Sequence, residues 1–404
     1  MNATVPALTP TPEHVPAHLV TDFDYIRPAG INEVGVYRAM KRLHDGPDII
    51  WTPRHGGHWL VTRAEDVRFV QENYEIFSHE EFMIPRALMP LKPIPLAVDP
   101  PNHARYRAVI NPGFMPKRVE GMREQARALT VDLIDQMKPN GRCEFMREFA
   151  RVMPVSMFLK IVDLPLDRRE EFVEWGLAIM SSYEPEARMA AQVRVRTYLK
   201  QLLDEREGGD GDDLLTRVAG WRRSPRFQSD EETLSMATLL FVGGLDTVAS
   251  ELSYITHYLA QHPDQQTRLR AEPGIIPRAA EEFLRRFGLS NTGRLITRDF
   301  EYKGVQFRKD EMTMVPNNLS GIDDRLYANP LEVDFDRGTT PSSHNTFGNG
   351  PHKCVGAPLA RVEIQVFLEE FLPRIGEFRL DPDFTDSEHC GSVPGFDQLH
   401  LRWN

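Results

Sequence analysis

Cys354 is the residue in this chain best suited to chemistry. It stands in Phe347-Gly348-Asn349-Gly350-Pro351-His352-Lys353-Cys354-Val355-Gly356, a tight loop spaced by glycines. An apolar run at helical spacing follows at once (Ala357, Leu359, Ala360, Val362, Ile364, Val366, Phe367, Leu368), with Pro373 as its predicted bound. The sulfur is therefore expected at a helix N-terminus, where unpaired N–H groups and the helix dipole favour a thiolate over a thiol. Gly348, Gly350 and Gly356 open positive φ to the backbone and would let the loop lie flat against something large. Phe347 would shield one side of the sulfur. A lone cysteine is more often a small buried hydrophobe, but this frame suits a single sulfur donor to a broad, planar cofactor, with haem as the candidate. Zinc is a poor rival, because no second cysteine lies at a ligand spacing.

A second centre of chemistry lies in the longest helix expected from the sequence, about 230 to 262, with Ser229 and Glu232 as a capping box and Pro263 as its stop. Its middle reads Gly243-Gly244-Leu245-Asp246-Thr247. Two interior glycines cost about 1 kcal/mol each relative to alanine. Close helix packing would explain the glycines alone. Glycines followed by an acid and a hydroxyl fit a helix that crosses a ligand face, kinked so that a carbonyl is freed and a hydroxyl presented.

Other elements must hold these two centres together. Residues 1–20 carry Pro6, Pro10, Pro12 and Pro16 and read as an extended, partly mobile arm, with 21–404 as one domain. A β-hairpin is expected over 48–62 and a short helix over 64–74. Phe82 to Leu96 is proline-broken and reads as a loop. Asp99-Pro100-Pro101 opens a helix bearing His103, Arg105 and Arg107. Helices dominate from 117 to 206, and 208–213 is an acidic loop. Pro277 to Phe287 is a helix carrying Glu282 and Arg285 one turn apart. Short strands follow at 295–297, 306–307 and 312–315, and the alternation Leu399, Leu401, Trp403 suggests a terminal hairpin.

The bulk composition excludes several functions. The chain has 404 residues, 41% hydrophobic and 26% charged, enough for a sizeable core. No uninterrupted run of about 18 apolar residues is present, so a membrane span is not expected, and no signal peptide is visible. Cys143, Cys354 and Cys390 are an odd, scattered set, which argues for a reducing compartment. A net charge of −11 disfavours nucleic acid and anionic membranes as partners. A cytoplasmic protein is expected.

Gly-Gly-x-Asp-Thr at 243–247, Glu-x-x-Arg at 282–285, Arg337 and the cysteine loop at 347–356 stand in one order that resembles the cytochrome P-450 family across essentially the whole chain. His14-Val15-Pro16-Ala17-His18-Leu19, Gly56-Gly57-His58-Trp59, Val242 to Val248 and Glu281 to Phe287 resemble in particular the bacterial camphor monooxygenase group. The resemblance implies a mainly α fold, a triangular helical prism with a smaller β-rich region and haem b between the long central helix and the cysteine loop. It implies Cys354 as the axial thiolate and His103, Arg107, Arg294 and His352 as holders of the haem propionates. Glu282, Arg285 and Arg337 would form a structural ion-pair network, and Asp246 and Thr247 the pair that passes protons to dioxygen.

The function implied is monooxygenation of a small hydrophobic substrate by a monomer. Because the chain carries no nucleotide-binding Gly-x-Gly-x-x-Gly after a strand, electrons would come from a [2Fe–2S] ferredoxin served by a flavin-dependent reductase. Arg105 and Arg107 are candidates for steering that donor. The alternative is a haem-thiolate protein that does not activate dioxygen, either a peroxide user or a non-catalytic sensor, and Asp246-Thr247 favours the first reading. Pocket candidates are Phe82, Met83, Leu91, Met180, Leu239, Val242, Gly243, Ser290, Asn291, Ser392 and Val393. The camphor enzymes' ketone-binding tyrosine has no counterpart in 82–93, where no tyrosine occurs. A compact terpenoid of camphor, cineole or ionone size is expected, with camphor itself bound less well.

Overall fold

In the computed structural model, residues 8–86, 92–181 and 185–404 are described. Strands β1 (Ile49–Thr52) and β2 (His58–Val61) form the expected hairpin, pairing Trp51 with Trp59. With β3 (Phe77–Ser78), β5 (Asn291–Ile296) and β8 (Met312–Pro316) they make a five-stranded sheet in the order β1-β2-β8-β5-β3. Aromatic and β-branched side chains fill one side of it: Trp51, Trp59, Phe77, Ile296 and Val315 are buried in one cluster, which Phe307 joins from outside the sheet. Residues of the N-terminal arm join that cluster through Val15 and Leu19, and Val20 bridges to Trp51.

The remaining strands are short. β4 (Arg142–Glu144), β9 (Phe378–Leu380) and β12 (His400–Trp403) make a three-stranded sheet, β6 (Phe300–Tyr302) pairs with β7 (Val305–Phe307), and β10 (Ser387–His389) pairs with β11 (Gly395–Gln398). The Leu401–Trp403 alternation therefore serves the sheet centre between β4 and β9 and not a terminal hairpin. One face of β12 must be buried, and two distant strands offer the ladder that a local turn would have offered.

The central helix is two helices. Asp230–Gly243 and Thr247–Gln261 are separated by a turn at 244–246. Val242 O accepts from Leu245 N at 3.4 Å and Asp246 O accepts from Ser250 N at 2.9 Å. Among the described residues the carbonyls of 243, 244 and 245 accept no backbone amide across the break. By length and composition the 32-residue stretch Asp230–Gln261 could cross a membrane, but half of its most apolar window is buried inside this protein. The predicted capping box does not form. Ser229 makes no side-chain cap bond, and the Glu232 carboxylate instead accepts from Tyr106 Oη at 2.5 Å and Trp221 Nε1 at 2.9 Å.

Pro154 and Pro373 sit beyond the first two positions of their helices. Pro154 lies near the start of Val152–Ile161, where few N–H groups have partners to lose. Pro373 does not end the helix after the cysteine loop, which runs Ala357–Ile375 and stops at Gly376 (φ 79°). It falls in the last turn, so the helix beyond it is too short to be disrupted.

Candidate functional site

The cysteine loop is pinned from several sides. Cys354 N donates to Phe347 O at 2.8 Å and Gly348 N to Asn345 O at 2.8 Å. Gly350 takes φ 67°, and a Cβ there would lie 2.7 Å from Gln71 O, so this glycine is required by the helix Ala64–Glu72 beneath the loop. Gly356 has an ordinary φ of −76°, and a Cβ there would stand 3.8 Å from the Cys354 sulfur. The glycines are therefore not equivalent: Gly350 is required by packing, while a side chain at Gly356 would meet only an ordinary contact.

Cys354 is exposed in its loop, yet protein crowds its thiol. Burial pushes its thiol up, and the N–H groups of Gly356 and Ala357 with the guanidinium groups of Arg107 and Arg361 pull the other way without cancelling it. The helix N-terminus acts in the expected direction, but burial outweighs it. A cation bound at the sulfur would complete what the amides begin.

The structure gathers one arginine and three histidines from four separate stretches. His103 comes from the helix Asn102–Ile110, Arg294 from β5, His352 from the loop, and His79 from just after β3. The His352 ring lies 4.3 Å from His79 and 4.5 Å from His103, centroid to centroid. Arg107 interacts electrostatically with His103, His352 and Cys354. Asp99 is the carboxylate set among them. It bonds His352 Nε2 at 2.8 Å, Ser78 Oγ at 2.5 Å and the His79 amide at 3.2 Å.

Neither Arg107 nor Arg294 has a carboxylate within ion-pair distance among the described residues. Arg294 is 5% exposed and donates only to Thr292 Oγ1 at 2.9 Å and Gly293 O at 2.7 Å. Burial pushes Arg294 down to about 9, and burial with His352 and Arg107 pushes His103 down to about 4. His352 is lowered by burial and by both arginines despite Asp99. The inward Nδ1 atoms of His79 and His352 are buried without a partner. Such a crowd of under-compensated donors suits a ligand carrying two carboxylates. The residues fit haem, with sulfur for the iron and this cluster for the propionates. Sequence reasoning missed His79, Asp99 and Thr292. Thr292 was legible in principle, since it stands two positions before Arg294 on the same strand face.

At the broken helix the two glycines divide the two readings of their pair. A Cβ on Gly244 would meet the Phe158 ring at 2.6 Å, so close packing explains that residue. Gly243 has open space around it and is exposed, as is Thr247, while Asp246 is half-buried. Burial raises the Asp246 carboxyl, with His389 and Arg151 lowering it and Asp397 raising it further.

Behind the loop, Glu282 and Arg285 form a bidentate pair at 2.8 and 2.7 Å. Arg337 Nε reaches the same carboxylate at 3.0 Å, Thr339 Oγ1 at 2.5 Å and Asp334 N at 3.0 Å. Arg285 is fully buried and also donates to the carbonyls of Gly321, Pro330 and Glu332. A parallel set escaped the sequence reading. Glu281 binds His344 at 3.1 Å and Arg361 at 2.5 Å, and Arg361 lies over the Phe347 ring at 4.7 Å.

Of the pocket candidates, Leu91 lies outside the described residues, as does the side chain of Met180. Phe82, Met83, Leu239, Val242, Ser392 and Val393 are half-buried. Phe82 O accepts Gly293 N at 2.6 Å, and Asn291 N donates to Ser392 O at 2.7 Å, so loop 82–86, β5 and turn 390–393 are tied together. Ser290 adopts φ 70°. Asn291 is a peg: its Nδ2 donates to Gly391 O at 2.7 Å, which removes that donor from a substrate. Tyr25, not foreseen, donates to Ile84 O at 2.5 Å and hydrogen-bonds Ser392, bracing the same wall. Arg105 is not free for steering, since Glu232 holds it at 3.1 Å with Tyr106 and Gln228. A separate surface pocket of about 490 Å³, lined by Arg142, Arg147, Asp381, Phe384 and His400, shares no residue with this site.

The comparisons with known proteins agree with this geometry. The cytochrome P-450 family model matches residues 276–389. The curated protein "Probable cytochrome P-450 127A1" of Sinorhizobium fredii is 34% identical, with 98% of this chain and 97% of that protein covered. The crystal structure of CYP101C1 superposes with a TM-score of 0.91 at 33% identity, covering 98% of this chain and 100% of that one. That of CYP101J2 gives 0.88 at 31% identity with the same coverage. With the mainly α fold, the cofactor haem b and the monooxygenase class all supported by these matches, the chain belongs to the cytochrome P-450 family.

Proposed function

We propose that this protein hydroxylates a small cyclic hydrophobic substrate, a monoterpenoid or norisoprenoid, using dioxygen and two electrons from a [2Fe–2S] ferredoxin with a flavin-dependent reductase. The observation that carries the reading is the convergence of three features: a lone sulfur held by two backbone amides, two arginines without an ion-pair partner in the described residues, set among buried histidines, and a broken helix presenting Asp246 and Thr247. When bound, haem supplies dioxygen-activating redox chemistry, and a thiolate ligand donates the electron density that favours O–O cleavage.

The chain's own residues have separable tasks. Cys354 is the sulfur ligand. His103, Arg107, Arg294 and His352, with Thr292 and His79, hold the two propionates. Leu239, Val242 and Val393 exclude water from the substrate, and Gly243 leaves room for it. Thr247 would hold a proton at Oγ1 for the dioxygen chemistry that haem supplies, and Asp246 would replenish it. The electron donor docks on the cysteine-loop face, where Lys353 is exposed. Three unpaired thiols suit a reducing cytoplasm.

Thr247→Ala is expected to leave substrate affinity nearly unchanged and to divert reducing equivalents to hydrogen peroxide. Asp246→Asn is expected to slow turnover about 100-fold, the lower end of a general-acid contribution. Product formed per NADH consumed, with hydrogen peroxide measured alongside, checks both. Fully coupled, wild-type turnover in both variants would refute the assignment of proton delivery to Asp246 and Thr247.

Substrate choice rests on apolar burial, worth about 25 cal/mol per Å², and on the absence of tyrosine from 82–93. A titration with camphor, cineole, ionone and linear fatty acids, read by the low-to-high spin change, is expected to rank cineole or ionone first. Tightest binding by fatty acids would refute the compact-terpenoid reading, and tightest binding by camphor the argument from the missing tyrosine.

A further inference from the structure

Four side-chain amides join the cysteine loop to the elements packed against it. Asn349, in the loop, commits its Nδ2 group twice, to Gln71 Oε1 at 2.8 Å and to Asn345 Oδ1 at 2.8 Å. Gln71, on the helix Ala64–Glu72, passes the chain on from Nε2 to Asn317 Oδ1 at 2.8 Å. Asn317 Nδ2 then reaches Thr346 O at 3.3 Å, and Asn345 Nδ2 reaches Ala64 O at 2.9 Å, so both branches end on backbone carbonyls. Gln71, Asn317 and Asn345 are buried, and Asn349 is half-buried. Among the described residues no charged side chain bonds any of the four amides.

Asn317 directly follows β8, and β8 pairs with β5 so that Thr313 stands opposite Arg294. Asn317 N also donates to Ser290 O at 3.1 Å, just before β5 begins. The ladder therefore starts in the loop that carries His352 and Cys354 and is anchored beside the strand pair that carries Arg294. We infer that Gln71 is a positioning residue for the sulfur ligand: its amide, bonded to the cysteine loop on one side and to Asn317 on the other, sets the span between Cys354 and Arg294 into which haem fits. The inference rests on the reading of Cys354 as the sulfur ligand and deepens it. Haem is rigid, so the groups that hold its iron and its propionates from separate segments must stand at a fixed separation, and the partners of those groups are what fix it.

Amides suit this task because each is donor and acceptor at once. Every N–H in the ladder faces an oxygen, so turning any one amide over would set donor against donor or acceptor against acceptor. The ladder thus has one arrangement, and it brings no charge to the sulfur. The other contacts of the loop do less. Gly348 N to Asn345 O and Cys354 N to Phe347 O, both at 2.8 Å, are local bonds that anchor nothing outside it. Gly350, whose missing Cβ would lie 2.7 Å from Gln71 O, decides how near the loop can come to the helix. The ladder decides that it stays there.

The test uses the holoenzyme with Gln71→Leu, which removes the centre of the ladder at similar volume, and Asn349→Ala, which removes its loop end. In either variant the Gly348 and Cys354 amide hydrogens, read by mass spectrometry in the peptide 345–356, are expected to exchange about tenfold faster, the effect of losing roughly one hydrogen bond. Haem transfer to apomyoglobin should quicken by a similar factor, and part of the reduced, carbon-monoxide-bound protein should lose the thiolate-type band. Because both residues act through one chain, the double variant should match the singles and not multiply them. Gln266→Leu is the control, since it removes a buried glutamine that bonds Leu259 O and Phe378 O at 2.8 Å and nothing in the loop. It should lower the denaturant midpoint and leave loop exchange, haem transfer and the band unchanged. Unchanged loop exchange and haem transfer in both ladder variants, a multiplied effect in the double, or the same changes in Gln266→Leu would each overturn the inference. Should Gln71→Leu fail to fold, Asn349→Ala at its half-buried position still decides it. A wild-type protein without the thiolate-type band would overturn the ligand reading instead, and loop exchange would still show whether Gln71 holds the loop.

Discussion

Cys354→Ser is expected to abolish the thiolate-type absorption of the reduced, carbon-monoxide-bound holoprotein and to reduce product formation below detection. The sulfur is the only soft donor in its loop, and the surroundings are arranged around it: amides of Gly356 and Ala357 on one side, Arg107 and Arg361 at longer range. A serine hydroxyl is smaller, harder and far less acidic, so it cannot supply the electron density on which O–O cleavage depends. The protein should still take up haem, because the groups proposed for the propionates are untouched. That separates loss of ligand from loss of fold. Persistence of the thiolate-type band in the variant would show that Cys354 is not the ligand.

Glu282→Gln is expected to have the largest effect on stability, about 3–5 kcal/mol, the usual consequence of breaking a buried ion pair from one side. Arg285 is fully buried, and its partner carboxylate also accepts from Arg337, Thr339 and the Asp334 amide. An amide in its place leaves the guanidinium charge uncompensated and turns an acceptor into a donor facing donors. The denaturant midpoint at constant slope measures this, and a midpoint unchanged within error would mean that the network carries no stability.

The pH dependence follows from the same carboxylate. Burial alone would raise Glu282, but its bonds to Arg285 and Thr339 and to the Asp334 amide hold it below the ordinary value. A depressed folded value means that its contribution is complete above the unfolded carboxylate range and is lost as pH falls through the lowered folded value. Wild type should therefore lose stability more steeply than Glu282→Gln on the acid side. Equal slopes there would contradict the shift.

The sequence by itself determined the chemistry and most of the local elements. A cysteine in a glycine-spaced frame ahead of an apolar helical run points to a ligand role, because loop, dipole and sulfur are contiguous. The first hairpin, the helices at 102–110 and 276–286 and the strand at 312–316 are likewise local, written in turn residues and periodicity. Gly243-Gly244-Leu245-Asp246-Thr247 announced a kink in one long helix, and the structure deepens it into a break between two.

Only the tertiary structure decided what depends on distant neighbours. Gly244 is explained by Phe158 and Gly350 by Gln71, while Gly243 is free, a distinction that no spacing rule contains. Glu232 abandons its capping box because Tyr106 and Trp221 offer buried donors to a carboxylate that would otherwise cap in water. Leu401 and Trp403 find strands 20 and more residues away along the chain, since an edge ladder is satisfied by whichever backbone reaches it. His79 and Asp99 join His352 and His103 through contacts between segments far apart in sequence. Charge acts through space and not along the chain, so these partners became visible only once the fold had brought them together.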